Sequence, residues 1–305
     1  MWEETNSYKR VIKSANIFKL IAKIYSTLIS IAILVTINSC AFKCITRFKN
    51  IIYLPADSSI NKSQEKLNVF APYRKDTLKN VLVFIYGGGW NSGKRSLYNF
   101  FGSRWARKNI VTVIIDYPKS PGANYEEMAT DVAKGIKWVK ENIERYGGNP
   151  EKIFISGHSA GGHLATLVSI QNDYFEKLGI TNPIKGDVLI DAAGLDMYSY
   201  LKREKLPVDN TYIQTFTNNP EKWKAASPIY HLHKGMPPML IYVGEKTYPS
   251  IRAGNDELVK ELKSFDYNTP YHILKGKKHK PMITQFFNTA NPRYKEIIEF
   301  MKNEK

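Results

Sequence analysis

The sequence predicts an α/β class, a mostly parallel sheet covered by helices on both faces. Three observations carry this. Continuous apolar runs of strand type recur, at Val81–Tyr86, Ile110–Tyr117 and Ile153–Ser156, without the alternation of a half-exposed sheet. Segments with helical spacing lie between them, so strands and helices alternate. One of the strand runs ends abruptly in Gly157-His158-Ser159-Ala160-Gly161-Gly162, and a helical run from His163 to Ile170 starts at once. A sharp strand-to-helix turn of this kind lifts a serine out of the edge of a sheet.

Met1 to Lys23 is polar and basic, and Ile24 to Ile37 is uncharged and mostly apolar. That apolar run is short for a spanning helix, which needs about 20 residues, but suits the core of a signal peptide. Ile37-Asn38-Ser39-Cys40 then resembles a bacterial lipobox. Residues 1–44 therefore read as a membrane-targeting segment, either a lipoprotein signal or an uncleaved signal anchor, with a buried or peripheral helix as the third reading. The first two place residues 45–305, read as one domain, outside the cytoplasm and membrane-associated or exported.

Ile45 to Asn80 reads as short strands and turns, with a strand at Leu67–Pro72. Val81–Tyr86 runs into Gly87-Gly88-Gly89-Trp90, and Phe100–Lys108 looks helical. Tyr125–Tyr146 carries Met128, Val132, Ile136, Val139 and Ile143 at helical spacing and stops at Gly147-Gly148-Asn149-Pro150. Past the elbow, strands are expected at Asp187–Asp191, Met239–Val243 and Tyr271–Leu274, and helices at Asn255–Phe265 and Tyr294–Lys302. Met197–Tyr230 has weak periodicity and many aromatics, as an inserted cap would.

Composition narrows the function classes. The 305 residues are 43% hydrophobic and 12% aromatic, enough for a sizeable core. The net charge of +16 fits an anionic membrane surface or lysines spread over a solvated face. A nucleic-acid partner is not expected, because there is no basic helix, zinc spacing or RNA-binding aromatic signature. The two cysteines, Cys40 and Cys44, both precede the domain, so it has no thiol nucleophile and needs no disulfide. The histidines lack metal-ligand spacing, and no Gly-Lys-Ser/Thr follows the triglycine, so no metal, phosphate loop or cofactor is implied.

Ser159 is the candidate nucleophile. A serine hydroxyl reacts only when exposed and relieved of its proton by a neighbour. The glycines at 157 and 161 allow close backbone approach, and the following helix points free N–H groups at the developing charge.

Three segments carry a resemblance: Gly87–Trp90, Gly157–Gly162 and Gly276-Lys277-Lys278-His279-Lys280-Pro281-Met282. From about Leu67 onward the chain resembles the α/β-hydrolase superfamily on its carboxylesterase side. The similar branches are the acetyl- and feruloyl-esterase-like, kynurenine-formamidase-like and hormone-sensitive-lipase-like enzymes. Asp116-Tyr117-Pro118 and Ala226-Ser227-Pro228-Ile229 are softer echoes. The resemblance implies an oxyanion hole from the backbone N–H groups of Gly88, Gly89 and Ala160. Tyr86 stands where the family usually has a histidine, which implies altered loop bracing. His279, after the last strand and after the serine in chain order, is the expected general base. His158 and His163 are expected to pack, and His231, His233 and His272 to be structural or exposed.

The acid is open. Aligning Pro249 with the family pattern puts the usual aspartate at Thr247, which cannot balance an imidazolium charge. Glu245 is the first candidate and Asp196 the second, with a Ser–His dyad or another group as the remaining reading. The resemblance implies a serine esterase that acts on a small-molecule carboxylic ester through an acyl-enzyme. The alternatives are an arylformamidase-type amidase and a non-catalytic, membrane-attached binding protein on the same fold. The sequence indicates no oligomeric state.

Overall fold

The computed structural model describes residues 19, 21–30, 44–57, 63–73 and 76–304. The chain divides into two compact units, Met1–Cys44 and Ile45–Lys305. In the first, residues 21–30 are helical, and Ile21, Ile24, Tyr25, Leu28 and Ile29 are exposed. Among the described residues no helix is long and apolar enough to cross a membrane. The rest of the apolar run, residues 31–37, and the lipobox-like Ile37–Cys40 lie outside the described residues.

The second unit is built on an eight-stranded sheet with order β1-β2-β4-β3-β5-β6-β7-β8. The strands are β1 (Ile45–Leu54), β2 (Glu65–Pro72), β3 (Lys79–Ile85), β4 (Val111–Ile115), β5 (Gly148–His158), β6 (Ile184–Ile190), β7 (Met239–Gly244) and β8 (Tyr271–Leu274). From β4 to β8 all neighbours are parallel, while β1, β2 and β4 pair antiparallel. This mixed sheet with flanking helices is the α/β-hydrolase fold. The region from Ile45 to Asn80 is more regular than a reading of short strands and turns allows. β1 keeps its pairing with β2 across two register shifts, and such irregularities break the apolar alternation that betrays a strand.

The central strands β3, β4 and β6 have uninterrupted buried apolar stretches, as strands covered on both faces must. Helices α1 (Asn99–Ala106), α2 (Tyr125–Asn142) and α3 (Ala160–Ile170) supply the covering layers. α2 starts on a capping box, with the Asn124 side chain accepting from the Glu127 N–H and Glu127 reaching back to Asn124. Such a cap stabilises a helix by about 1 kcal/mol. Met128, Val132, Ile136 and Val139 form its buried stripe. It gives way to a 3₁₀ turn at Ile143–Tyr146 that ends on Gly147, whose φ of 85° is left-handed, and β5 begins at the next residue. The glycine-rich breaker is thus already the start of the strand that carries the serine.

Residues 197–231 form the cap as three short helices, α4 (Met197–Glu204), α5 (Thr211–Phe216) and α6 (Pro220–Ala225), and a 3₁₀ turn at Pro228–His231. α7 (Pro249–Ser264) starts six residues before the helix expected at Asn255, because Pro249 at its first turn sets the helical φ without losing a needed N–H. α8 (His279–Thr284) and α9 (Arg293–Asn303) complete the unit.

Candidate active site

Ser159 occupies the junction of β5 and α3 with φ 56° and ψ −125°, an uncommon conformation for a residue with a Cβ. Such backbone strain costs about 1–3 kcal/mol and persists only when the surroundings hold it. Here three backbone hydrogen bonds do so. The Ser159 N–H donates to the Ile190 carbonyl (3.3 Å), and the Ser159 carbonyl accepts from His163 (3.2 Å) and Ala193 (3.1 Å). Gly161 is required by proximity: a Cβ there would lie 2.1 Å from the Ile85 carbonyl oxygen. The elbow is therefore clamped between the ends of β3 and β6.

The loop after β3 turns back on itself. Gly88, at φ 148°, accepts from the N–H of Ser92 (3.0 Å) and from its hydroxyl (2.7 Å). A Cβ on Gly88 would meet the Ser92 carbonyl oxygen at 2.2 Å. Gly88 and Gly89 line a cavity of about 1570 Å³ together with Ser159 and His279. Ala160 is the first residue of α3, directly after the serine, and is buried.

Tyr86 braces this loop from behind. Its hydroxyl donates to Asp116 Oδ1 (2.7 Å), and its carbonyl accepts from the Tyr117 hydroxyl (2.9 Å). Asp116 also receives the Arg95 N–H (3.0 Å) and pairs with the Arg95 guanidinium. Burial drives the Tyr86 phenol far above its ordinary range, so it stays a neutral donor. The Asp116-Tyr117-Pro118 echo is thus the other half of a brace. Trp90, at the end of the loop, is anchored too: its indole N–H donates to His163 Nδ1 (3.2 Å). His163 Nε2 then carries its proton to the Ala226 carbonyl (2.7 Å), which ties the second echo to the same network. Desolvation holds His163 down at about 4, so it is neutral.

His279 stands at the start of α8, with Nε2 2.8 Å from Ser159 Oγ. Its Nδ1 lies 2.5 Å from Oδ2 of Asp191, the residue after β6. An ionised carboxylate only accepts, so the Nδ1–H points to Asp191 and the Nε2 lone pair faces the serine hydroxyl. Asp191 is fully buried but well supplied with donors. Its Oδ1 accepts from the Gly244 N–H (2.8 Å) and its Oδ2 from the Thr247 hydroxyl. His158 stacks on His279 at 4.7 Å between ring centroids and donates from Nε2 to the His279 carbonyl (3.2 Å). Desolvation, helped by repulsion from His279, pushes His158 down to about 3, so it supports the site as a neutral ring.

The carboxylate that meets His279 is therefore neither Glu245 nor Asp196. Glu245 is exposed and accepts from the Gly276 N–H (2.6 Å), which fastens the turn ahead of His279 to the end of β7. Asp196 caps α4 by accepting from the Ser199 N–H (3.0 Å). Both have the right charge, and each is engaged by a backbone donor elsewhere. In the sequence Asp191 reads as the last residue of a strand. Its signal in the sequence is a carboxylate that ends an apolar run at the C-terminal edge of a parallel sheet, where ligands and catalytic groups collect. His231 and His233 bind backbone carbonyls, at Ala225 (2.8 Å) and Ile170 (2.8 Å), and His272 stacks on Tyr242. Among the described residues no group of three or more His, Cys, Asp or Glu is placed to hold a metal.

The cavity wall is largely apolar and aromatic. Phe100 and Phe287, stacked at 3.8 Å, line it, as do Tyr200 and Tyr212 of the cap. Trp90 joins cap to loop through edge contacts with Tyr212 and Phe216.

Fold and site together define an α/β-hydrolase with a serine, a histidine and an aspartate in hydrogen-bonded series. The chain belongs to the BD-FAE family, whose model matches residues 67–260. Esterase LipQ of Mycobacterium tuberculosis is 34% identical over 177 residues, 54% of this chain and 41% of that protein. Isoprenylcysteine alpha-carbonyl methylesterase ICME of Arabidopsis thaliana is 32% identical over 111 residues, 36% of this chain and 26% of that protein. The chain thus spans less than half the length of these relatives. Among solved structures, an inhibited esterase B from Lactobacillus rhamnosis shares the fold with a TM-score of 0.69 at 15% identity, covering 92% of this chain and 96% of that one. A truncated carbohydrate esterase from gut microbiota does so with a TM-score of 0.70 at 19% identity, covering 85% of this chain and 95% of that one.

Proposed function

We propose that the protein is a serine esterase that cleaves carboxylic esters through an acyl-enzyme. The observation that carries this is His279, held between Ser159 Oγ at 2.8 Å and Asp191 Oδ2 at 2.5 Å. Ser159 attacks the ester carbonyl while its proton passes to His279 Nε2. The resulting imidazolium faces a carboxylate on Nδ1, which stabilises it. The tetrahedral oxyanion takes hydrogen bonds from the N–H groups of Gly88, Gly89 and Ala160, each worth about 3–4 kcal/mol in such a site. His279 then protonates the departing alkoxide, and the same groups activate a water molecule to release the acid. The apolar and aromatic wall of the cavity favours esters with an apolar acyl or aryl part. Esterases among the relatives support the same reading.

The test is turnover of p-nitrophenyl acetate together with labelling by a fluorophosphonate. The expected result is hydrolysis, one adduct on the peptide that contains Ser159, and loss of both in Ser159→Ala. A folded protein that takes no label and turns over no ester contradicts the reading. Turnover of N-formyl aryl amines with none of short aryl esters replaces it with an amidase.

We also propose that the N-terminal segment brings this domain to or across a membrane. The basic stretch, the apolar run Ile24–Ile37 and the lipobox-like Ile37–Cys40 support it. Expression in a bacterium with labelled palmitate tests the lipoprotein form, with label expected in the wild type and absent from Cys40→Ala. An unlabelled wild-type protein recovered wholly in the cytosol contradicts both forms.

A further inference from the structure

The end of β7 holds a feature that the triad does not need in order to exist. Thr247 sits in a tight turn, closed by its N–H on the Gly244 carbonyl (3.2 Å), and its hydroxyl donates to Asp191 Oδ2. That is the same oxygen that accepts from His279 Nδ1 at 2.5 Å. The other oxygen, Oδ1, takes the Gly244 N–H at 2.8 Å. Three donors from β7 and the His279 segment thus converge on one carboxylate that has no access to water. Two of the three come from the four-residue turn Gly244–Thr247, which begins on the last residue of β7. The strand ends are adjacent, since the Asp191 N–H donates to the Tyr242 carbonyl (2.7 Å).

We infer that Thr247 is a positioning residue for the acid. The inference rests on the reading of Asp191 as the acid. A carboxylate held on only one side is free to turn about its Cβ–Cγ bond, and a donor on each oxygen fixes the plane that His279 meets. The Thr247 hydroxyl fixes Oδ2, while Gly244 fixes Oδ1. It also draws charge from the oxygen that faces the imidazole, so the carboxylate holds a protonated His279 less tightly than it would alone. The turn after β7 therefore works here as a clamp on an acid supplied from the end of β6.

The test is the pH profile of kcat and kcat/KM on p-nitrophenyl acetate between about pH 5 and 9, the range in which an imidazole base titrates. Thr247→Val keeps the shape and loses the donor. It is expected to lower kcat by about tenfold, the usual effect of removing a hydrogen bond to a charged group, with little change in KM. The acidic limb of its kcat/KM profile is expected to move to higher pH, because the carboxylate without Thr247 stabilises the protonated imidazole more. Thr247→Ser restores the donor, and is expected to recover most of the rate and the original limb. A purely structural role lowers the unfolding temperature without moving the limb. The positioning role is overturned if Thr247→Val keeps the wild-type rate and limb, or if Thr247→Ser is as slow as Thr247→Val. If Asp191→Ala itself keeps the wild-type rate, it is the assignment of the acid that fails.

Discussion

Two aspartates bracket Val188–Ile190 at the end of β6, and both are shielded completely from solvent. Asp187 lies inside the sheet, beneath α3. Its Oδ2 accepts from the Ser169 hydroxyl at 3.2 Å, and Oδ1 has no partner among the described residues. Burial pushes its carboxyl up to about 7. Asp191 lies at the C-terminal edge of the same sheet. Gly244, Thr247 and His279 all point donors at it. Burial is equal, so the difference is in the supply of donors. Inside a parallel sheet the neighbours' N–H groups are spent on the ladder, whereas at the edge the chain turns away and leaves N–H and hydroxyl groups free to hold a charge. A carboxylate is useful as a base's partner only where that supply exists.

Replacing each acid in turn breaks or sharpens this contrast. The largest effect is expected from Asp191→Asn, which removes the charge and misorients His279: kcat on p-nitrophenyl acetate should fall by about 10⁴-fold. A loss of under tenfold means that Asp191 does not serve the base. Next is Asp187→Asn, read as stability against pH. The folded carboxyl titrates near 7 against an ordinary value of 3.8, so between those values the fold keeps a proton that the unfolded chain has released. Stability from this group is therefore greatest at low pH, declines as pH rises through that window, and stays low above it. The asparagine variant lacks that decline. Its unfolding temperature relative to wild type should rise between about pH 4 and pH 8, with kcat nearly unchanged. A constant difference across that range rules out a buried proton on Asp187. Smaller again is Asp196→Ala, which removes the α4 cap and should cost about 1 kcal/mol in denaturant unfolding while leaving kcat within a few-fold. Smallest is Glu245→Gln, whose carboxyl oxygen still accepts from Gly276 as an amide, so kcat/KM should stay within about twofold of wild type. A large loss there moves the acid back to the end of β7.

The same contrast explains what was legible in the sequence. The sheet's central strands are visible because burial on both faces forces continuous apolar runs, and the elbow is visible because close packing against Ile85 leaves only glycine at 161. Ser159 and His279 follow from a motif and from chain order, and the structure brings them within a hydrogen bond. The acid did not follow, because proximity to His279 is set by the lateral order of strand ends rather than by distance along the chain. Asp191 and His279 are 88 residues apart in sequence. In the sequence Thr247 reads as the loss of an acid, yet its hydroxyl donates to the acid. Tyr86, the other departure from the family pattern, likewise sits inside a brace with Asp116 and Arg95. The register shifts of β1 and the early start of α7 escaped for a local reason: bulges and a proline at a first helical turn disturb the periodicity on which such readings depend.

Asp191 is the carboxylate that holds the His279 Nδ1 proton. Proton NMR of the protein with ¹⁵N-labelled histidine tests this assignment directly. A proton shared between an imidazole nitrogen and a buried carboxylate at this separation resonates far downfield of ordinary amides. One such resonance is expected, from the proton on His279 Nδ1, absent in Asp191→Ala and kept in Glu245→Gln and Asp196→Ala. A resonance that survives in Asp191→Ala, or vanishes in Glu245→Gln, contradicts it.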